Sequence, residues 1–174
     1  AVLASIHARI VSSALEQPTD MFERCGLRFS ISARSDGLEF SFSGFDEHLS
    51  ELVGTVLPTV RSPGAAGEAA FEQVRRQLML SLADETERQP YQHAEDALEV
   101  VTVRGRYARS EQLSAARDAD RINLRAYGRF LEDIFADGGQ LSVLLAGNIG
   151  RQRSKNIVFA IAKGLKLSAS TSPA

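Results

Sequence analysis

Leu27-Arg28-Phe29-Ser30-Ile31-Ser32-Ala33-Arg34-Ser35-Asp36-Gly37-Leu38-Glu39-Phe40-Ser41-Phe42-Ser43-Gly44-Phe45 is the stretch on which the fold turns. Leu27, Phe29, Ile31 and Ala33, then Leu38, Phe40 and Phe42, alternate with Arg28, Ser30, Ser32, Arg34, Glu39, Ser41 and Ser43. A period of two marks a half-buried strand, so two strands are predicted. Asp36-Gly37 between them suits a type I′ turn, which needs positive φ at both central residues. With that pair as the loop, Ser35 faces Leu38, Ala33 faces Phe40, Ile31 faces Phe42 and Arg34 faces Glu39. The apolar residues then share one face and the polar face pairs opposite charges.

Upstream of the hairpin, Leu3, Ile6, Ile10, Val11, Ala14 and Leu15 recur at helical spacing, and Pro18 is expected to end that helix. A short turn, Asp20 to Cys25, leads through Gly26 into the first strand. Beyond Gly44 the period becomes 3.6, with Phe45, Leu49, Leu52, Val53, Val56 and Leu57 on one side and Asp46 placed as a cap. Pro58 weakens the last turn of that helix, and 61–67 reads as a mobile loop. Helices are expected over about 68–88 and about 90–103, with Pro90 in the first position. A short helix starts at Ser110. A longer one, capped by Asp120, carries Ile122, Ala126, Phe130 and Ile134 and stops at Gly138-Gly139. Gln140 to Ala146 is a compact apolar run and reads as an inner strand. A last helix spans 150–164, and 167–174 is left as a disordered polar tail. The fold class is therefore α+β: a small, mainly antiparallel sheet, hairpin 27–44 plus strand 140–146, covered on one face by several helices. A single domain over 1–166 is expected, with one sheet edge open.

Composition limits what this fold can do. With 20 basic and 22 acidic residues in 174, the formal charge is -2, and no global field favours nucleic acid or an anionic membrane. No apolar run reaches the roughly 20 residues needed to cross a bilayer, and His7 and Arg9 inside the first apolar pattern do not suit a secretory signal. One cysteine, Cys25, excludes an internal disulfide and reads as a small buried residue. The histidines are His7, His48 and His93, and no two stand four apart. His48-Leu49-Ser50-Glu51-Leu52 has a His and a Glu but a leucine where a second metal ligand would belong. Arg104-Gly105-Arg106-Tyr107 and Arg151-Gln152-Arg153 are short basic spots with little aromatic interleaving. Gly147-Asn148-Ile149-Gly150 lacks the spacing and the lysine of a phosphate loop.

Five segments in order, Cys25-Gly26-Leu27 with Ser30-Ile31, Asp36-Gly37-Leu38 with Ser43-Gly44-Phe45, Phe71-Glu72, Glu87 to Ala94, and Leu144-Leu145-Ala146-Gly147-Asn148-Ile149, resemble the insulinase (pitrilysin-like) zinc metallopeptidases. The similarity is to the third of four homologous domains, less its first strands, with Cys25 in place of the usual alanine and Ala146 in place of the usual histidine. The resemblance implies a processing-peptidase type scaffold. It also implies a parent that hydrolyses peptides with zinc held by H-x-x-E-H and a distant Glu. That motif is absent here. In the first helix, where the catalytic domain carries it, His7-Ala8-Arg9-Ile10-Val11 places Ile and Val at the base and second-ligand positions. Those side chains offer neither a proton acceptor nor a metal bond.

The resemblance and the missing motif together imply a catalytically silent duplicate, a fragment of a larger chain. No catalytic, cofactor or metal residue is assigned, and zinc is expected in a separate catalytic domain of the parent. The partners implied are the other domains of the same chain and, through the parent, peptide substrates, with no nucleic acid and no membrane. Related sheets line a substrate chamber, so the polar hairpin face, Arg28, Ser30, Ser32, Ser41 and Ser43, is the candidate peptide-contacting surface. Self-association of the isolated chain through an uncovered strand or helix face is also expected. Three readings stay open: a domain of a catalytically inactive structural relative, a stand-alone α+β protein-interaction domain, and a hydrolase with an unrecognised site.

Overall fold

In a computed structural model of the chain, residues 1–62, 67–84, 88–136 and 140–165 are described. The elements are α1 (Val2–Arg24), β1 (Arg28–Ala33), β2 (Leu38–Ser43), α2 (Asp46–Arg61), α3 (Glu68–Ala83), α4 (Pro90–Thr102), α5 (Arg109–Arg117), α6 (Leu124–Ile134) and α7 (Arg151–Gly164). A two-stranded antiparallel sheet with helices is an α+β fold, as the period change at Gly44 predicts. The expected loop centre at 63–66, the Gly138-Gly139 stop and the tail at 167–174 lie outside the described residues; the third helix, expected to run to about Arg88, ends at Ala83, where Asp84 turns extended as its C-cap.

The first helix does not end at Pro18, which lies inside α1. Thr19, buried one residue later, donates its hydroxyl to the Leu15 carbonyl at 2.8 Å, and Leu15 itself is buried. Burial of this stripe on both sides of the proline carries the helix through a position where one backbone donor is missing. It ends instead at Gly26, with φ of 83°. There the Gly26 amide donates to the Glu23 carbonyl at 2.9 Å and the Leu27 amide to the Phe22 carbonyl at 2.9 Å, a Schellman closure.

The hairpin keeps its predicted faces but not its predicted register. The Arg34 amide donates to the Gly37 carbonyl at 2.9 Å, so Ser35 and Asp36 form the turn. Phe29 stands beside Phe42 with ring centroids 5.1 Å apart. Glu39 consequently lies across from Ser32, whose hydroxyl donates to it at 3.3 Å, and reaches diagonally to Arg34 Nε at 2.6 Å. Gly37 is not in the left-handed region a type I′ turn demands. A shift of two residues leaves every side chain on its own face, which is why alternation alone did not exclude it.

The expected inner strand is the larger correction. Residues 140–146 are not in a strand, and Leu144 is 92% exposed. A strand exists only where a neighbour takes up its amides and carbonyls, and the sheet of the described residues has two members, β1 and β2. The longer late helix begins at Leu124 rather than at Asp120, because Asn123 Oδ1 accepts the Ala126 amide at 2.9 Å and is the working cap.

The chain divides into two compact units. One comprises Ala1–Ser12, Ile31–Glu39 and Ala66–Phe130; the other comprises Ser13–Ser30, Phe40–Ala65 and Leu131–Ala174. In the first, α3 packs on α5, and Ile6, Val11, Phe71, Leu78, Ala116 and Tyr127 are buried. In the second, α2 packs on α7, and Leu27, Leu52, Val53, Val56, Val60 and Ile157 are buried. Each large aliphatic side chain so buried contributes about 1.5–3 kcal/mol relative to its exposed state. Gly44, φ 134°, seats the exit of β2 against the entry of β1: a Cβ there would stand 2.7 Å from Leu27 Cα and 2.8 Å from the Gly26 carbonyl oxygen.

Candidate functional site

His7 is the first residue to place, since it is the imidazole of α1. It is fully buried. Its Nδ1 lies 2.9 Å from the Tyr127 hydroxyl, and its ring meets Tyr127 at 5.9 Å and Phe130 at 6.2 Å between centroids. Phe71 packs on the other ring of the pair, 5.5 Å from Tyr127. Burial raises the Tyr127 phenol well above its ordinary value, so the hydroxyl stays protonated and available to the imidazole. Ile10 and Val11, one turn along, are buried apolar neighbours in the same helix. A zinc site needs at least three N, S or O ligands facing one point. The His7 ring and the Tyr127 hydroxyl supply two such groups, and Ile10 and Val11 add none.

The other histidine motif gives the same answer. His48 Nδ1 lies 3.1 Å from Glu51 Oε2 on the surface of α2, while Leu52, at the position of a second ligand, is fully buried. Among the described residues no group of three His, Cys, Asp or Glu side chains could hold a metal ion. Cys25 is exposed, contrary to its expected burial, because the Schellman turn at Gly26 leaves it on the outside of the helix end.

The five residues of the candidate peptide-contacting face, Arg28, Ser30, Ser32, Ser41 and Ser43, all fall on the exposed side of the hairpin. The alternation of β1 and β2 is what brings them there. Of the five, Ser32 is engaged by Glu39.

Arginines, not anticipated from the sequence, supply the ordered polar contacts between helices. Arg75 of α3 binds Glu72 at 2.7 Å and donates to the Ala116 carbonyl at 2.9 Å, at the end of α5. Arg109, at the start of α5, lies 2.6, 3.2 and 3.3 Å from the carbonyls of Ser81, Leu82 and Asp84, which close α3. In the second unit Arg61 of α2 donates to the Leu165 carbonyl at 2.8 Å, capping α7. Cations at C-terminal carbonyls offset the negative end of the helix dipole and satisfy acceptors with no partner inside the helix. Such contacts are long-range in sequence, and no spacing rule announces them.

A cleft of about 490 Å³ lies along α5, lined by Ser110, Glu111, Ser114, Asp118, Arg121 and Ile122 among others. Its carboxylates are already used. Glu111 accepts the Ala108 amide at 2.9 Å, and Asp118 accepts the Asp120 and Arg121 amides at 3.2 Å each. Carboxylates committed to backbone amides do not converge on a substrate, and no acid–base pair is formed here. The basic spot at 104–107 is likewise partly neutralised: Arg106 lies 2.8 Å from Glu99.

Residues 1–115 match a family model described as the middle or third domain of peptidase M16. No curated protein matches the chain.

Proposed function

The chain belongs to the M16 peptidases, as a middle or third domain, and from that premise we propose that it is the non-catalytic, chamber-forming domain of a zinc-dependent metalloendopeptidase. The metal and the carboxylate that activates water then belong to another domain of the parent. The observation that carries this reading is the state of His7, buried with its Nδ1 at 2.9 Å from the Tyr127 hydroxyl. An imidazole held in an aromatic core braces a helix and is not presented to a ligand. The hydrophobic partners at Ile10 and Val11 complete a helix built for packing.

In the parent this domain forms part of the wall that encloses a peptide. The exposed hairpin face offers hydroxyls and the Arg28 guanidinium beside the Arg34–Glu39 ion pair, and its donors suit the backbone carbonyls of an extended chain and read little of its sequence. Peptide cleavage is a property of the parent.

A quenched-peptide assay with metal analysis tests the reading. The intact parent is expected to cleave and to lose activity to a chelator, whereas the 174-residue chain is expected to do neither and to hold no stoichiometric zinc. Replacing Ser41 and Ser43 with alanine in the parent is expected to raise KM and leave kcat unchanged. A zinc equivalent in the isolated chain that survives dialysis, or chelator-sensitive hydrolysis by that chain alone, overturns it.

A further inference from the structure

Helix α4 carries its apolar residues away from its own unit. Tyr91, Ala94, Leu98 and Val101 recur at three, four and three residues and so form one stripe. Tyr91 is 60% exposed, Leu98 63% and Val101 85%. The half-buried positions are Gln92, Asp96 and Val100, which at about 100° per residue lie on the opposite side of the helix. No residue of α4 is buried. The inward side is fastened by charge, with Asp96 2.6 Å from Arg88, and the neighbouring Glu99 2.8 Å from Arg106. An amphipathic helix held by its polar side and open on its apolar side is the reverse of the usual surface helix.

The border of the stripe has a sign. Glu95, exposed, stands along one edge, Glu99 beyond it is taken by Arg106, and α4 contains no lysine or arginine. A complementary surface is apolar with basic residues at its margin. The family match, which includes α4, is to a middle or third domain, so further domains of the same polypeptide are the surfaces to which such a stripe is presented.

We propose that the outward stripe of α4, Tyr91, Ala94, Leu98 and Val101 with Glu95 at its border, is the surface on which another domain of the M16 parent docks through an apolar patch edged by Arg or Lys. The inference rests on the reading of the chain as one domain of a multidomain peptidase, and it adds the face through which that domain is held. Docking removes the three large side chains from water while Glu95 fixes the register of the contact.

Thiol labelling tests it. Leu98→Cys is introduced into a Cys25→Ser background, which removes the exposed native thiol, in both the 174-residue chain and the intact parent. The introduced thiol is expected to react with a maleimide at least roughly tenfold more slowly in the parent. Glu95→Lys is expected to bring the parent's rate back toward that of the isolated chain. Amide exchange of 90–102 in the unsubstituted proteins is the second measurement, expected to be slower in the parent. Equal labelling and exchange in the two proteins overturn the proposal, as does a charge reversal at Glu95 without effect. Labelling of the isolated chain that slows as its concentration rises also overturns it, since a second copy is then the occupant. Neither readout depends on catalysis: protection in a parent that cleaves nothing leaves the docking face standing and removes the peptidase reading, and the converse separates them the other way.

Discussion

Arg75 and Arg109 fasten the same pair of helices from opposite ends. Arg75 reaches from α3 to the carbonyl that ends α5, and Arg109 reaches from the first turn of α5 to the carbonyls that end α3. The arrangement fixes an antiparallel pair with little apolar surface on its shorter member, where Ala116 is the buried residue.

Removing either arginine is therefore expected to loosen the whole pair. Arg75 has a side chain only 12% exposed, and Arg75→Ala leaves Glu72 and the Ala116 carbonyl without their donor, a loss of about 1.5–3 kcal/mol. Arg109→Ala is expected to cost about 1 kcal/mol. Because both act on one helix pair, urea denaturation of the double variant should show a coupling of about 0.5 kcal/mol or more. Strict additivity contradicts the reciprocal cap.

Tyr127→Phe removes the hydroxyl that meets His7 and keeps the ring. Loss of about 1–3 kcal/mol is expected, with the fold retained. The pH dependence has a definite sign. The folded phenol ionises above the ordinary value of 10.0 because burial disfavours the anion. Its stabilising effect is complete below that value and is lost as pH rises beyond it, when the unfolded chain gives up the proton first. Alkaline unfolding monitored by circular dichroism should start at lower pH in the native protein than in the phenylalanine variant, once each is referred to its neutral stability.

Asp96 works in the acid direction. The hydrogen bond from Arg88 holds its carboxyl below the usual 3.8, opposed by partial burial and aided by the charges of Arg88, Arg106 and Arg109. A depressed folded value means that the contribution is present above 3.8 and fades as pH falls through the folded value. Asp96→Asn should flatten the acid limb of a stability profile and release α4. Faster amide exchange in 90–102 is the local sign, and an unchanged acid limb refutes the role given to this carboxylate.

Gly44→Ala places a methyl against the backbone of Leu27 at a left-handed φ. Strain and overlap together are expected to cost at least about 2 kcal/mol. Gly37→Ala is the control, with open space at its Cβ and no positive φ, and should stay within about 0.5 kcal/mol. Equal effects at the two glycines contradict the close approach.

Local patterning made the helices and the hairpin legible, because burial of one face forces a period on the sequence. Pro18 shows where a local rule lost: the stripe containing Leu15 and Thr19 was buried on both sides of it, and burial outweighed one absent amide bond. The run containing Leu144 shows the opposite failure. Its composition suits a strand, but strand formation depends on a neighbour that no property of the run itself supplies. The packing of Ile10 and Val11 was readable from the helical stripe alone, whereas the phenol that meets His7 lies 120 residues away and carries no signal in that stripe. The arginine caps were hidden for the same reason.

The turn at Ser35-Asp36 has a last consequence for how this hairpin tolerates changes of length. A residue added at the turn is taken up by a longer loop, with Ser32 still across from Glu39. A residue added early in β2 instead turns the strand beyond it, so that Phe40 and Phe42 exchange faces with Ser41 and Ser43; natural insertions and deletions are therefore expected in the loop and not within the strand.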